Sequence, residues 1–326
     1  MKRRLLSILL MVSMLLTMFP ATAGAAGTEP VAPDHTDHAD WTALSEESTS
    51  LASGKYYLEN DVTMGGTSDI TIAEDSDVTF CLNGNVLNLN GKHIEVPTGS
   101  SLTICDCQTT LTYGNINADG LWEESDTTGD CDLTGGVITG GMAEFGGAIH
   151  AEGDLTLKSG NIAGNCAAYN GETPSGGQGG GVYAQVASAT ANSFTMDGGS
   201  ITGNKAVSMN AATGGGIYVY SSKFIMNGGS ISHNWAYNNR EEWADSGYVN
   251  SSGGGVCLEM NYAGAYMNGG SITGNKATAK SGKNPGYGGG VYVSRCNFTM
   301  NEGTIADNEA GDANQHISYG YGGGVY

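Results

Sequence analysis

From Ile149 to the end of the chain, apolar and polar residues alternate in runs of three to five positions, separated by glycine, asparagine and aspartate. Val182-Tyr183-Ala184, Phe194-Thr195-Met196 and Ser200-Ile201-Thr202 are three such runs within one stretch, and no 3.6-residue period lies between them. Alternation of this length predicts short half-buried strands, not helices. Val182, Phe194, Met196 and Ile201 then face inward, while Tyr183, Thr195 and Thr202 face outward.

The same three runs recur. A Gly-Gly-Gly or Gly-Gly-Ala triplet starts at 146, 179, 214, 253, 288 and 322. Each of the first five copies continues into an apolar-x-apolar strand and a Ser-Ile-Thr-Gly-Asn-like strand. The inward positions match from copy to copy: Ile149, Val182, Ile217, Val256, Val291 and Val325; Met196, Met226, Met267 and Met300; Ile162, Ile201, Ile231, Ile272 and Ile305. One unit of this size cannot bury its own apolar face, so the copies must stack like on like. Three strands per unit without helices predict an all-β, right-handed parallel β-helix of three short strands per coil. The asparagines that end each third strand, Asn165, Asn204, Asn234, Asn275 and Asn308, are expected to form a structural amide ladder.

Upstream, Tyr56-Tyr57-Leu58, Ile70-Thr71-Ile72, Val78 to Leu82, Val86 to Leu89 and Ser101 to Ile104 alternate in the same way without the triplet. Residues 51–135 therefore read as N-terminal capping coils of the same solenoid, with 107–135 as an irregular connection, and 136–326 as glycine-rich coils. The chain stops partway through a strand-one run, at Val325-Tyr326, which reads as a truncation within a coil.

The segments after the ladder asparagines, 166–178, 205–213, 235–252, 276–287 and 309–321, vary in length and content and are expected to leave from one edge. They carry Trp235, Tyr237, Trp243, Tyr248, Tyr287 and Tyr319, the candidate binding residues of a loop face for a surface glycan or protein ligand. Packing of these rings onto the coil beneath is the alternative.

Charge and export narrow the partners. Lys2, Arg3 and Arg4 precede an apolar stretch from Leu5 to Phe19 and small residues around Ala23, the pattern of a secretory signal over residues 1–26. A polar segment, 27–50, follows. The signal holds three basic and no acidic residues, so its removal takes the net charge from −20 to −23. Nucleic acid and anionic lipid are poor partners for such a surface. No second apolar run spans a bilayer, so no transmembrane span is expected after cleavage, and the location is extracellular or on a bacterial cell surface.

No cofactor motif is present, and no metal set is assigned. Asp34, His35, Asp37, His38 and Asp40 are suitable donor types, but a short polar segment supplies no fixed geometry. Cys81 and Cys105 occupy matching frames, Thr-Phe-Cys and Thr-Ile-Cys, and face the same way if their strands stack, as a disulfide or as two packed thiols.

Gly146-Gly147-Ala148-Ile149, Phe224-Ile225-Met226-Asn227 and Phe298-Thr299-Met300-Asn301 resemble the GGA(I/L/V) and FxxN signatures of the polymorphic outer membrane protein repeat family. Most copies here depart by using Gly-Gly-Gly, and one has Asp197 and another Ala265 at the FxxN positions. The Gly-Gly-Gly-Val-Tyr and Met-Asn-Gly-Gly-Ser-Ile repeats resemble those of exported bacterial adhesin-like proteins, over roughly residues 50–326. The resemblance implies a pectate-lyase-like right-handed β-helix displayed outside the cell.

Polysaccharide lyases and hydrolases of that shape are the catalytic alternative, and they need carboxylates clustered on the outer strand faces. The outward positions of the glycine-rich strands are His150, Tyr183, Tyr218, Cys257, Tyr292 and Tyr326, then Thr156, Thr195, Ile225, Tyr266 and Thr299, then Ala163, Thr202, Ser232, Thr273 and Ala306. None is a carboxylate, and Glu259 stands one step further along by itself. No catalytic residue is assigned. A purely structural envelope protein is the third reading.

Overall fold

A computed structural model describes residue 35 and residues 37–168, 176–185, 192–240, 250–260, 263–280, 284–311 and 319–326. All belong to one unit, Ala32–Tyr326. The expected signal over 1–26 lies outside the described residues. No described helix is long and apolar enough to cross a membrane.

The described residues form strands and turns without a helix, and their large sheets are parallel throughout. Three sheets run nearly the whole length. Sheet one has eight strands from Ser50–Leu51 to Val291–Ser294, and it contains the strand after each of the first five glycine triplets. Sheet two has nine, from Thr42–Ala43 to Phe298–Met300, and sheet three has eight, from Val62–Thr63 to Thr304–Ala306. The inward sets stack in the expected register: Val182 pairs with Ile217, Met196 with Met226, Ile201 with Ile231. One apolar core runs between these sheets from Leu44 to Val291, and Phe194, Met226 and Ile231 within it are inaccessible to solvent or nearly so. The upstream coils join the same stack, since Ile94 pairs with Ile149 and Leu102 with Leu155. The chain is thus an all-β parallel β-helix.

Two further sheets lie in segments expected to be loops. Sheet four has six strands, including Lys205–Ser208, Trp235–Asn238 and Lys276–Ala279. Sheet five has four, including Ala211–Thr213 and Asn250–Ser252. Ala212, Ala236 and Ala277 pack together as a thin second core. A methyl-sized interior lets the two short sheets approach closely, and its weak hydropathy hides the strands from a search for Val, Ile and Phe.

The expected irregular connection is also ordered. Gly114–Ile116 pairs antiparallel with Trp122–Glu124, and Leu111–Thr112 with Leu133–Thr134. Trp122 is buried with Leu133, Val137 and Ala163. Its indole N–H donates to the Cys131 carbonyl at 2.9 Å, and its backbone N–H to the Gly203 carbonyl at 2.9 Å. The insertion is pinned to the outside of sheet three.

The asparagine ladder is complete. The backbone N–H of Asn204 donates to Asn234 Oδ1 at 3.0 Å, and Asn204 Nδ2 donates to the same oxygen at 3.0 Å and to the Ile162 carbonyl at 2.9 Å. Asn165, Asn234 and Asn275 repeat the pattern towards the next asparagine. The glycine triplet is shaped by this neighbour. Gly214 has φ +64, which glycine tolerates best; a Cβ on Gly215 would collide with the Gly254 carbonyl oxygen; one on Gly216 would lie 2.9 Å from the Asn234 amide.

Candidate functional site

Trp235 and Tyr237 sit on a strand of sheet four, not in a loop, with ring centroids 4.6 Å apart. Lys205 Nζ lies 4.1 Å from the Trp235 centroid and 4.9 Å from that of Tyr237. Lys205 also donates to the Asp119 carbonyl at 2.5 Å, and the indole N–H of Trp235 donates to Thr278 Oγ1 at 2.7 Å. A Cβ on Gly120 would meet the Trp235 ring at 2.5 Å. Trp235 thus rests against the tip of the 107–135 insertion, and the pair is half-buried.

Tyr287 lies in a second aromatic group, at sheet five. It stacks on Tyr321 at 5.2 Å and 15° and meets Tyr326 at 4.9 Å, and Tyr326 stacks on Tyr292 at 5.8 Å. Tyr319 is exposed next to this group's strand. Trp243 and Tyr248 lie outside the described residues. Among the described candidates, Trp235 and Tyr237 thus form one aromatic group on sheet four, and Tyr287 belongs to another where sheets five and one meet.

The outward tyrosines of sheet one form a column, and Tyr183 and Tyr218 within it are buried. Tyr183, Tyr218 and Cys257 form a small buried apolar cluster outside the main core, with half-buried Phe145, Tyr220 and Tyr292 packed against it. Tyr183 and Tyr218 are 5.2 Å apart, and the Tyr218 hydroxyl donates to Glu259 Oε2 at 2.5 Å. Burial pushes both phenols up from their ordinary range, so they stay neutral.

Followed upstream, that column does contain a carboxylate, which the motif-by-motif reading missed. His150 pairs with Glu95, because the coil before the insertion lies directly beneath the first glycine-rich coil. Glu95 is held between two imidazoles, His93 Nε2 at 2.6 Å and His150 Nδ1 at 3.1 Å, and Asp69 lies 3.3 Å from His93 Nδ1. Gln185 extends the group, donating to Glu152 Oε1 at 2.8 Å and accepting from the Tyr183 hydroxyl at 2.9 Å. Burial opposes ionisation of Glu95, but the hydrogen bonds and charges of His150 and His93 outweigh it and hold the carboxyl down at about 2. Burial likewise opposes a charge on His93, and the Glu95 hydrogen bond with the Asp69 and Glu95 charges turns the balance upward. The signal for this set was available: Ile94-Glu95-Val96 and Ile149-His150-Ala151 share one alternation, but 52 intervening residues, 97–148, separate them.

A third feature is an open cleft of about 390 Å³ between the insertion and sheet three, lined by Asp61, Asn88, Asn117, Glu123, Glu124 and Thr139 among others. Its acidic wall suits a cation or a hydroxyl-rich ligand better than an anion.

Comparison with protein-family models, with curated proteins and with solved structures finds no match. The reading of function therefore rests on this chain's own geometry.

Proposed function

We propose that this protein is a secreted or surface-held, adhesin-like β-helix that presents variable segments to a glycan or protein partner. The supporting observation is the contrast at one edge of the stack. Strands Lys205–Ser208, Trp235–Asn238 and Lys276–Ala279 are in register in sheet four, and strands Ala211–Thr213, Asn250–Ser252 and Gly286–Tyr287 are in register in sheet five. Between them the chain carries Met209-Asn210 in one coil, a segment through Glu241-Glu242-Trp243-Ala244-Asp245 in the next, and Lys280 to Pro285 in the third. The attachment points repeat while the contents change, which is the economy of a display scaffold. The flanking Trp235 and Tyr237 add apolar area with polar neighbours, suited to a sugar face or a protein contact.

The catalytic alternative draws on the Asp69, His93, Glu95 and His150 cluster. Both Glu95 oxygens are engaged by imidazoles, and its low proton affinity makes it a weak base and a poor acid. That is the behaviour of an ion-pair network bracing the outer face.

The test is replacement of residues 239–249 by a short Asn-Gly turn, following the two-residue link of the Met209-Asn210 coil. Binding to arrayed glycans or matrix proteins is expected to fall at least tenfold while the unfolding midpoint stays put. Release of unsaturated ends from a uronate polymer, abolished by Glu95→Gln, would replace the display reading with the enzyme.

A further inference from the structure

Four donors of the zinc-binding type converge near the start of the stack. Tyr57, Cys81 and Cys105 occupy one column of sheet two, Tyr57 pairing with Cys81 and Cys81 with Cys105. Cys107 follows two residues later. Its backbone is set by Asp106, whose Oδ1 accepts the N–H of Gly84 at 3.0 Å and of Gln108 at 2.9 Å. The polar segment before the first strand returns over this column. The Trp41 N–H closes a turn on the His38 carbonyl at 3.0 Å, the His38 ring stacks on Tyr57 at 4.4 Å and 9°, and the His35 ring lies 4.3 Å from that of Trp41.

We propose that His35, His38, Cys81 and Cys107 form a tetrahedral site for a zinc-class divalent cation, which clasps the N-terminal segment to the first coils. All four donor atoms lie within 4.8 Å of one another. Three edges of this set are 3.6 Å for Cys81 Sγ to Cys107 Sγ, 3.1 Å for His35 Nε2 to His38 Nε2 and 3.8 Å for Cys107 Sγ to His38 Nε2. With metal–sulfur and metal–nitrogen bonds of about 2.3 and about 2.0 Å, a regular tetrahedron has edges of about 3.8, about 3.3 and about 3.5 Å for the same pairs. These three of the six edges match within a few tenths of an ångström, and closing the rest of the set, which spans up to 4.8 Å, needs a movement of about 1 Å in the segment that carries the two histidines.

Two thiols and two imidazoles select a borderline-soft cation over calcium or magnesium, which need oxygen donors. On binding, each thiol loses its proton to solvent, so one divalent ion replaces two protons and the site becomes neutral overall. The surroundings support the ligands. Cys81 is buried, the Gln108 amide N–H points at Cys107 Sγ from 3.9 Å, and the rings of Tyr57 and Trp41 hold the imidazoles in place. Cys105 shares the column but is outside the four-donor set, which makes it an internal control.

The experiment is a cobalt(II) titration of the full reduced chain, followed by zinc displacement and native mass spectrometry. One cobalt per chain is expected, with the visible bands of a tetrahedral ion and a thiolate charge-transfer band, both lost when zinc is added. Cys107→Ser and His38→Ala are each expected to weaken binding at least a hundredfold, while Cys105→Ser leaves it within a few-fold. His35→Gln, in the segment before the first strand, gives the same test without touching a sheet. The proposal is overturned if the bands are absent, if affinity is unchanged in Cys107→Ser and His35→Gln, or if the chain secreted by its producer carries a Cys81–Cys107 disulfide.

Discussion

The glycine-rich coils and the coils before them solve the same stacking problem differently. In the glycine-rich part each turn corner uses the same residue for the same bond: Asn165, Asn204, Asn234 and Asn275 each bind the next asparagine's Oδ1 through both backbone and side chain. In the upstream coils the corners are fastened one by one. Asn83 and Asn85 both donate to the Leu58 carbonyl at 3.0 Å, Asn90 and Lys92 to that of Met64 at 3.0 and 3.2 Å, and Asp61 accepts the Val86 N–H at 2.8 Å. Repetition makes every rung depend on its neighbours, whereas individual fastenings back one another up.

The sharpest break in that comparison is Gly215→Ala against Gly91→Ala. The first drives a methyl into backbone on two sides, while the second meets nothing within 4 Å and only has to hold φ +80. Chemical denaturation is expected to show a loss on the order of 3 kcal/mol or more, or no secreted protein, for Gly215→Ala, and about 1 kcal/mol for Gly91→Ala. Next comes Asn234→Ala against Asn85→Ala. The first strips the Asn204 N–H and amide and the Ile201 carbonyl of buried partners, at about 3–5 kcal/mol in all. The second leaves Leu58 with Asn83 and costs about 1 kcal/mol.

A smaller contrast is a pH profile. His93 has a raised folded-state pKa, so its contribution is complete below about pH 6.5 and fades as pH rises through the folded value. Glu95, lowered to about 2, contributes above pH 4.5 and loses that contribution as pH falls towards about 2. The melting temperature of the wild type should therefore fall on both sides of this window, and Glu95→Gln should flatten the profile. The smallest effect is expected at the exposed ladder of Asp197, Asn227, Asn268 and Asn301, where each asparagine amide donates to the side-chain oxygen of the rung before it at 2.8 Å. Asn268→Ala there should cost under about 0.5 kcal/mol by the same denaturation assay, because water replaces the lost partner.

What was legible in the sequence was whatever repeats with large side chains. The Val/Ile, Met and Ile stacks and the Asn ladder can be read directly, and with them the parallel register. Sheets four and five were hidden because their interior is alanine, although Trp235-Ala236-Tyr237-Asn238 alternates with period two. The insertion was hidden because its strands pair antiparallel within themselves and depend on one buried Trp122. Of the aromatic candidates, Trp235 is spent partly on the insertion, which no local pattern announces. The Glu95 cluster needed the register across that insertion, and the convergence of His35 and His38 on Cys81 and Cys107 needed the fold itself.

The central claim is that sequence separation is irrelevant to axial position: each coil advances one strand spacing whatever it contains. Thr79, Thr103, Thr156, Thr195, Ile225, Tyr266 and Thr299 are successive rungs of sheet two, although 52 residues separate the second from the third. Spin labels paired between Thr299 and Thr156, Thr103 or Thr79 measure this directly by pulsed electron resonance. The stacked coils predict centre distances of about 19, about 24 and about 29 Å, rising by one equal step per rung of about 4.8 Å. A jump of about 10 Å or more between the Thr156 and Thr103 pairs, twice the strand spacing, or distances with no common increment, would contradict it.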